Sequence, residues 1–248
     1  MDLGIAGRRA AVAAASAGLG LATARALAAE GVRVAICGRN RARVDAALAE
    51  LPADAIGLVA DVGSVDGART FVEQAAEALG GVDILVPNAG GPPAGTFAST
   101  PIERYPAALE LNLLSTVAMC RAAVPAMVEG GWGRVVAITS ATVQVPAANL
   151  ILSNTARAGV TAFLKTLATE VAPHGVTVAS VQPGLHATDR LRHLYGDDLG
   201  AVDRQVPTGA IGRPEDFGAV VAFLCSDHAR FVTGTSVLVD GGANPAIS

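Results

Sequence analysis

The sequence predicts an α/β fold: a doubly wound parallel sheet of about seven strands with helices on both faces. Two observations carry this prediction. Apolar runs alternate with helix-period segments along all 248 residues, as is typical of a parallel sheet that is covered on both faces. Apolar residues make up 51% of the chain and charged residues 16%, which is the composition of a globular protein. Since no linker or repeat interrupts the pattern, we expect one domain, residues 1–248.

The elements follow from this pattern in chain order. Val44, Ala47, Leu48 and Leu51 share one face at the spacing i, i+3, i+4, i+7 and so predict an early helix. Pro214, which acids follow, marks the start of a late helix, because Pro suits the first helical position and acids suit the positive end. The strands are predicted at seven apolar runs: Arg9–Ala15, Val32–Cys37, Ile56–Ala60, Val82–Pro87, Arg134–Thr139, Val176–Val181 and Ser236–Val239.

Charge and cysteine content argue against several classes of function. The formal net charge is −4, so no basic excess exists to neutralise phosphates and no nucleic-acid partner is expected. With alanine set aside, no apolar window reaches the length of about 18 residues that a membrane span needs, and we expect a cytoplasmic protein without a membrane anchor. Cys37, Cys120 and Cys225 match no metal pattern, which predicts buried thiols in a reducing compartment and no metal site.

The segment 13–20 joins the first strand to the next helix and reads Ala-Ala-Ala-Ser-Ala-Gly-Leu-Gly. Gly18 and Gly20 allow close approach of the backbone to a ligand, and a helix start directs its N–H groups and its dipole at an anion. We therefore expect Ser16, Gly18, Leu19 and Gly20 to bind the pyrophosphate of a dinucleotide. The alternative is an ordinary strand-to-helix turn.

Arg39 stands at the end of the second predicted strand, about 20 residues beyond the glycines. An acid at this place would hold the ribose hydroxyls of NAD, whereas a guanidinium suits the 2′-phosphate of NADP. The sequence therefore favours NADP over NAD as the cofactor. The alternative is that Arg39 is an ordinary surface charge at a helix start.

Further motifs follow at strand ends and on one helix. Asp61-Val62 follows the third strand, Asn88-Ala89-Gly90 follows the fourth, and Asn112 interrupts an apolar helical segment. Together with the glycine segment they resemble the short-chain dehydrogenase/reductase family, although the Thr-Gly that opens the family's glycine motif is Ala13-Ala14 here. The resemblance covers essentially the whole chain and includes two further parts: Pro183-Gly184-Leu185-His186-Ala187-Thr188, and the C-terminal signatures at 212–215 and 239–242.

This resemblance implies a Rossmann-type fold, a small-molecule substrate and a homotetramer or homodimer. It also implies the roles of the motif residues. Asp61 and Val62 would hold the adenine, and Asn112 would help to hold a water in the proton path. The remaining cofactor-binding residues implied by the resemblance are Asn88, Gly90, Pro183, Gly184 and Thr188, of which the last three would meet the nicotinamide carboxamide.

The family's catalytic residues are only partly present. Ser140 matches the serine that orients the substrate oxygen, but Ser153 stands in place of the family's tyrosine, the general acid or base. Arg157 stands in place of the lysine that holds the nicotinamide ribose. Residues i and i+4 share one helix face, so Ser153 and Arg157 should point into the same cleft. Arg157 supplies a fixed positive charge but no proton, because the pKa of a guanidinium lies above about 12.

This altered pair leaves three hypotheses open. The favoured one is an NADP-dependent carbonyl reductase or alcohol dehydrogenase, because the cofactor motifs are complete and Ser140 is present. Its catalytic residues would be Ser140, Ser153, Arg157 and Asn112, and the proton would travel through Ser153 and water or through His186. The second hypothesis is a non-redox reaction, such as an elimination, isomerisation or cyclisation, in the same cleft. The third is a catalytically silent binding or assembly subunit.

Residues 189–210 are predicted to form a lid over the substrate, and the alternative is a surface loop with no role. This segment mixes Leu191, Leu194 and Tyr195 with glycine and acids. Its apolar content predicts a substrate that is partly apolar, such as a ketone, a 3-oxoacyl thioester or a polyketide-like carbonyl compound.

Overall fold

The computed structural model describes residues 1–196 and 199–246. Its centre is a seven-stranded parallel sheet in the order β3-β2-β1-β4-β5-β6-β7, so the predicted α/β fold and all seven predicted strands are confirmed. Every neighbouring pair of strands is parallel. The strands are β1 Arg9–Val12, β2 Arg33–Gly38, β3 Ile56–Val59, β4 Ile84–Val86, β5 Gly133–Ile138, β6 Val176–Pro183 and β7 Thr235–Val239.

Helices cover both faces of the sheet. Along β5, Val135 and Ala137 belong to one buried cluster, while Val136 and Ile138 belong to the other. The first cluster includes α3, α5 and α6, and the second includes α1 and α9. The helices are α1 Gly18–Ala29, α2 Arg41–Leu48, α3 Val65–Leu79, α4 Tyr105–Leu109, α5 Ser115–Glu129, α6 Ile151–Val171, α7 Asp189–Tyr195, α8 Gly200–Asp203 and α9 Pro214–Leu224.

Three strands are shorter than the apolar runs that predicted them, and β3 differs only by ending at Val59 rather than Ala60. β1 ends at Val12 rather than Ala15, because Ala14 has a φ of 47° and the chain turns there. β4 covers Ile84–Val86 rather than Val82–Pro87, since Asp83 lies in a bend and Pro87 begins an irregular loop. Residues 189–210, predicted as a lid, contain α7 and α8, and Asp197-Asp198 within that segment lie outside the described residues.

The helical run Ile102–Glu129 contains α4, a π-helical turn at Glu110–Leu114 and α5. By length and composition alone it is apolar enough to cross a membrane. Met119, Cys120 and Met127 of α5 are buried in the protein core, where α5 packs on α3. Core packing therefore accounts for the buried apolar residues of α5, and the expectation of no membrane anchor stays a prediction.

Trp132 lies at the amino edge of the sheet, directly before β5. The Arg8 guanidinium carbon lies 3.8 Å from the centre of the indole ring, and that of Arg134 lies 4.2 Å from it. The indole Nε1 donates to Asp227 Oδ1 at 3.1 Å. Cation–π contacts and this hydrogen bond thus fix the indole at the sheet edge opposite to the carboxyl ends of the strands.

Candidate functional site

The strand order reverses between β1 and β4, because the chain builds outward to β2 and β3 on one side and to β5, β6 and β7 on the other. In open α/β sheets, ligands bind beyond the carboxyl ends of the strands at such a point. Asn88, just after β4, donates from Nδ2 to Ala13 O at 3.2 Å and to Ala14 O at 3.3 Å. Its side chain therefore joins the two loops that flank the reversal.

The glycine segment packs closely against the protein's own backbone at Gly20, and its predicted approach to a ligand stays a prediction. A Cβ at Gly20 would lie 2.7 Å from Ala14 O, 2.9 Å from Ala15 Cα and 3.0 Å from Asn88 Nδ2. Gly18 has a φ of 59°, a conformation that favours glycine. Only glycine fits at Gly20, and the loop is drawn tightly across the carboxyl end of β1.

The start of α1 lacks a side-chain cap, unlike the starts of several other helices. Its N-cap, Ala17, has no side chain that can accept a hydrogen bond. Asn40, Ser64 and Thr188, in contrast, accept a backbone N–H at the starts of α2, α3 and α7. Among the described residues, no group accepts from the first N–H groups of α1, and these residues fit the diphosphate of a dinucleotide.

Arg39 follows β2, is exposed and has no hydrogen-bond or ion-pair partner within the described part of the chain. Its neighbours on α2 are paired. Arg41 Nη1 lies 3.4 Å from Asp45 Oδ1, and Arg43 Nη2 lies 3.9 Å from Asp189 Oδ2. Arg39 is thus a cation at the predicted 2′-phosphate position that no carboxylate of the described residues neutralises.

The loops around the predicted adenosine site are compact. A Cβ at Gly38 would lie 2.7 Å from Ser16 Oγ, so the glycine segment lies against the end of β2. Asp61 is exposed and accepts the Gly63 N–H at 2.9 Å, while Val62 is buried. The Asp61 side chain is therefore accessible, and Val62 anchors its loop in the core.

The loop after β6 reaches the glycine segment. Gly184 donates its N–H to Val239 O at 2.9 Å directly after Pro183. Thr188 caps α7 through Oγ1, which accepts the Leu191 N–H at 3.3 Å. A Cβ at Gly18 would lie 3.6 Å from Thr188 Cγ2, which is van der Waals contact. The predicted nicotinamide segment and the predicted phosphate segment therefore meet.

Asn112 lies in the π-helical turn and is 3% exposed. Its Nδ2 donates to Gly90 O at 2.9 Å. Its Oδ1 is buried and accepts no hydrogen bond from any described residue. A buried acceptor of this kind requires a partner, so the geometry fits the predicted role of Asn112 in holding a water.

The two serines of the predicted catalytic set differ in their bonding. Ser140 Oγ accepts the Thr142 N–H at 3.2 Å and lies 2.9 Å from Thr142 Oγ1. Ser153 is 8% exposed, and its hydroxyl makes no hydrogen bond within residues 1–196 and 199–246. When the Thr142 hydroxyl donates to Ser140, the proton of Ser140 is free for a ligand.

Arg157 is more deeply integrated into the fold than the sequence predicts. Nη1 donates to Ile138 O at 3.1 Å and to Thr139 O at 3.0 Å, and Nη2 donates to Ala89 O at 3.4 Å. The guanidinium therefore connects the ends of β4 and β5 directly beside Ser140. Burial, with the charge of Arg190, lowers the pKa of Arg157 to about 10, below the value that the sequence predicts. The group still carries its charge at neutral pH.

His186 packs inside the protein and makes no hydrogen bond with Ser140 or Ser153, both of which are described. It is 4% exposed, its Nδ1 lies 3.3 Å from Gly184 O, and its ring meets Phe217 edge-on at 5.3 Å. Burial lowers the pKa of His186, so the ring is neutral at neutral pH. This packing argues against a proton route through His186.

Two features of the site were missed from the sequence. Arg190, two residues after Thr188, reaches across to the loop after β4, where its Nη2 donates to Pro92 O at 3.3 Å. Asn244 donates to Gln144 Oε1 at 3.2 Å, and Gln144 donates to Gln182 Oε1 at 3.0 Å. The sequence signals that could have found them were a cation two residues after Thr188 and a glutamine, Gln182, directly before Pro183.

Metal-ligating side chains do not cluster here: within residues 1–196 and 199–246, no three His, Cys, Asp or Glu side chains lie together. Cys37, Cys120 and Cys225 are buried, and burial raises the pKa of each thiol to about 12. Thiols of this kind are unreactive at neutral pH.

Comparisons with known proteins agree with this geometry. Residues 13–244 match the family model described as enoyl-(acyl carrier protein) reductase. Human dehydrogenase/reductase SDR family member 4 is 33% identical over 244 residues, which cover 96% of this chain and 88% of that protein.

Two solved structures extend the comparison. L-Sorbose reductase from Gluconobacter frateurii, solved with NADPH and L-sorbose, is 30% identical with a TM-score of 0.92, and the match covers 100% of both chains. A short-chain oxidoreductase from Pseudomonas aeruginosa PAO1, described as containing an atypical catalytic center and solved with NADPH bound, is 31% identical with a TM-score of 0.89. That match covers 97% of this chain and 98% of the other.

Proposed function

This chain belongs to the short-chain dehydrogenase/reductase family, and from that membership we propose that it is an NADP-dependent carbonyl reductase or alcohol dehydrogenase. Its substrate is a small, partly apolar carbonyl compound or alcohol. One observation carries the proposal: the glycine segment, the uncapped start of α1 and Asn88 together form a dinucleotide cradle at the reversal of strand order.

The choice of NADP rests on Arg39. It is exposed and unpaired among the described residues at the end of β2, while its neighbours on α2 are occupied by carboxylates. A guanidinium binds a phosphate by charge-assisted hydrogen bonds. The L-sorbose reductase and the Pseudomonas oxidoreductase were both solved with NADPH, which supports the same choice.

The residues of this chain then divide the work of carbonyl reduction. When bound, the nicotinamide supplies the hydride. Ser140 donates a hydrogen bond to the carbonyl oxygen without giving up its proton, and the nearby charge of Arg157 stabilises negative charge that develops on that oxygen. Arg157 also keeps Ser140 in place through its bonds to Ile138 O and Thr139 O.

The proton that completes the alcohol comes from water. Asn112 Oδ1 accepts from that water, and the Ser153 hydroxyl, which has no partner among the described residues, passes the proton onward. Serine is a weaker acid than the family's tyrosine, and loss of a positioned general acid typically costs about 10²–10⁴ in rate. Slow turnover is therefore the expected behaviour.

Cofactor titration tests the first half of the proposal. We expect NADPH to bind more tightly than NADH, and Arg39→Ala to weaken NADPH binding by about 10- to 100-fold while sparing NADH. Arg41→Ala is the matched control, because Arg41 is paired with Asp45. Equal affinity of the unmodified protein for both cofactors would remove the basis for NADP.

Turnover tests the second half. A panel of carbonyl compounds is read by NADPH oxidation with the parent and with Ser153→Tyr/Arg157→Lys, which restores the family's pair. We expect slow reduction by the parent and a gain of at least about 10-fold by the double variant. A non-redox enzyme or a catalytically silent subunit remains the second candidate, since Ser153 and Arg157 replace the family's catalytic tyrosine and lysine. NADPH binding without turnover by either protein favours it.

Assembly and location form the remaining part of the proposal. We infer a homotetramer or homodimer, because Phe97 and Phe231 are 85% and 98% exposed and large apolar side chains at a surface favour association. Light scattering of the purified protein tests this directly. Three free, buried cysteines suit the reducing cytoplasm.

A further inference from the structure

The side chain of Arg190 extends from α7 across the cleft to the loop after β4. Its Nη2 donates to Pro92 O at 3.3 Å, and a Cβ at Gly91 would lie only 2.8 Å from the same nitrogen. The guanidinium therefore rests against the turn formed by Gly91 and Pro92, in the loop after β4. Nothing in the cofactor cradle requires a cation there.

A second guanidinium lies along the same loop. Arg157 donates to Ala89 O, and the charge of Arg190 is close enough to lower the pKa of Arg157. Within the described residues, neither guanidinium contacts a carboxylate. The nearest candidate by sequence, Asp189, is turned to Arg43 at 3.9 Å and to Arg192 at 3.3 Å.

These two charges lie at the substrate end of the cleft. The uncapped start of α1 and the glycine segment accommodate the diphosphate, and Thr188 contacts Gly18 there. Arg190 extends beyond that point, and Arg157 binds Thr139 O, the carbonyl directly before Ser140. An anion held by Arg190 would therefore lie beside the serine that orients the reacting carbonyl.

We propose that the substrate is an oxo acid, a carbonyl compound whose carboxylate is bound by Arg190 with the charge of Arg157 behind it. This inference rests on the proposed function. Arg190 donates one Nη2 hydrogen to Pro92 O. The other N–H groups of its planar guanidinium can bind a carboxylate. In this proposal α7, which carries Arg190 and the half-exposed Tyr195, lies over the remainder of such a substrate.

Matched pairs of an acid and its methyl ester test this assignment. The probes are acetoacetate with methyl acetoacetate, and levulinate with methyl levulinate, in NADPH-oxidation assays. We expect the ratio of kcat/KM for acid over ester to fall by about 10- to 100-fold in Arg190→Met, because a charge-assisted hydrogen bond is lost. Arg192→Met is the control on the same helix and should leave this ratio unchanged, since Arg192 pairs with Asp189.

A binding measurement makes the test independent of turnover. Succinate, which cannot be reduced, and its neutral diamide are titrated by calorimetry into the complex with NADP⁺. Succinate should bind at least about 10-fold more tightly than succinamide, and Arg190→Met should abolish the difference. Equal binding of the two probes overturns the oxo-acid assignment, whatever the activity.

The remaining outcomes separate the two proposals. Reduction of esters and acids with a ratio that Arg190→Met does not change overturns the oxo-acid assignment and leaves the reductase intact. A loss of NADPH affinity in Arg190→Met with an unchanged acid-to-ester ratio assigns the guanidinium to the cofactor diphosphate and also overturns it. Selective succinate binding without any carbonyl reduction supports the carboxylate site and counts against the reductase.

Discussion

The two halves of the cleft differ in what determines their chemistry. On the β1 side, the proposed anion binding depends on backbone geometry. The position of Gly20 has no room for a side chain, and the start of α1 has no side-chain cap. On the β5 side, proton transfer depends on side-chain type, and here Ser153 and Arg157 replace the family's tyrosine and lysine. In the proposed function, the cofactor site is therefore complete although the residues for proton transfer differ, because the fold fixes backbone geometry and leaves side-chain type free to change.

We expect the largest effect from a substitution in the glycine segment, on the β1 side of the cleft. Gly20→Val places a branched side chain where even a Cβ lies within 3.0 Å of Ala14 O, Ala15 Cα and Asn88 Nδ2. We expect NADPH binding to weaken by at least about 100-fold and the free energy of unfolding to fall by about 3 kcal/mol. Fluorescence titration and urea denaturation measure the two effects. The control for stability is Gly90→Ala, whose added Cβ meets no atom of the described residues within 4 Å.

If Gly20→Val binds NADPH as the parent does, the diphosphate does not approach this loop and the cradle is misassigned. A loss of stability without a loss of affinity would lead to the same conclusion.

A smaller effect is expected on the side-chain half. Arg157→Met removes the donors to Ile138 O, Thr139 O and Ala89 O, and unsatisfied buried carbonyls typically cost about 1–3 kcal/mol. Arg157→Lys should lose less, since an ammonium retains donors and charge. Urea denaturation followed by circular dichroism measures the loss. Arg121→Met, on the exposed face of α5, is the control.

Stability of Arg157→Met equal to that of the parent would show that the bridge between the ends of β4 and β5 contributes nothing to folding. Arg157 would then act only on bound ligands.

We expect the smallest effect at Ala14, where this chain has alanine in place of the glycine that the family's motif has there. Ala14 has a φ of 47°, a conformation that costs a non-glycine residue roughly 1–2 kcal/mol. Ala14→Gly relieves this strain but adds freedom to the unfolded chain, so we expect a net gain of about 0.5–1 kcal/mol in the free energy of unfolding. Ala15→Gly, at a buried position without positive φ, should destabilise the protein instead. A destabilised Ala14→Gly variant would show that the alanine methyl is needed.

The sequence predicted the sheet because its strands are long apolar runs, and burial of both faces leaves a strong local pattern. It overextended β1 to Ala15, since apolar type alone does not report a φ of 47° at Ala14. The glycine segment was predictable in position because it lies in the short loop between β1 and α1, and Asn88 was predictable because it follows β4 almost directly. The tie from Asn88 to Ala13 O and Ala14 O was visible only in the fold.

Long side chains were the least predictable part of the site. Arg157 and Arg190 each reach a loop that is far away in sequence, Ala89 in one case and Pro92 in the other. His186 lies in the expected segment, but its ring turns to Phe217 on α9. The direction of a flexible side chain depends on the partners that tertiary packing brings near it, and local sequence does not contain that information.

Trp132 is the only tryptophan in the chain, and it is fixed between two guanidiniums at the amino edge of the sheet. The indole is therefore a built-in optical reporter placed away from the cofactor cradle. Its emission follows unfolding of the edge where β1 and β5 begin. Any quenching by NADPH must act through space, by energy transfer to the reduced nicotinamide rather than by contact. Folding and cofactor binding are thus separable in one spectrum without an added dye.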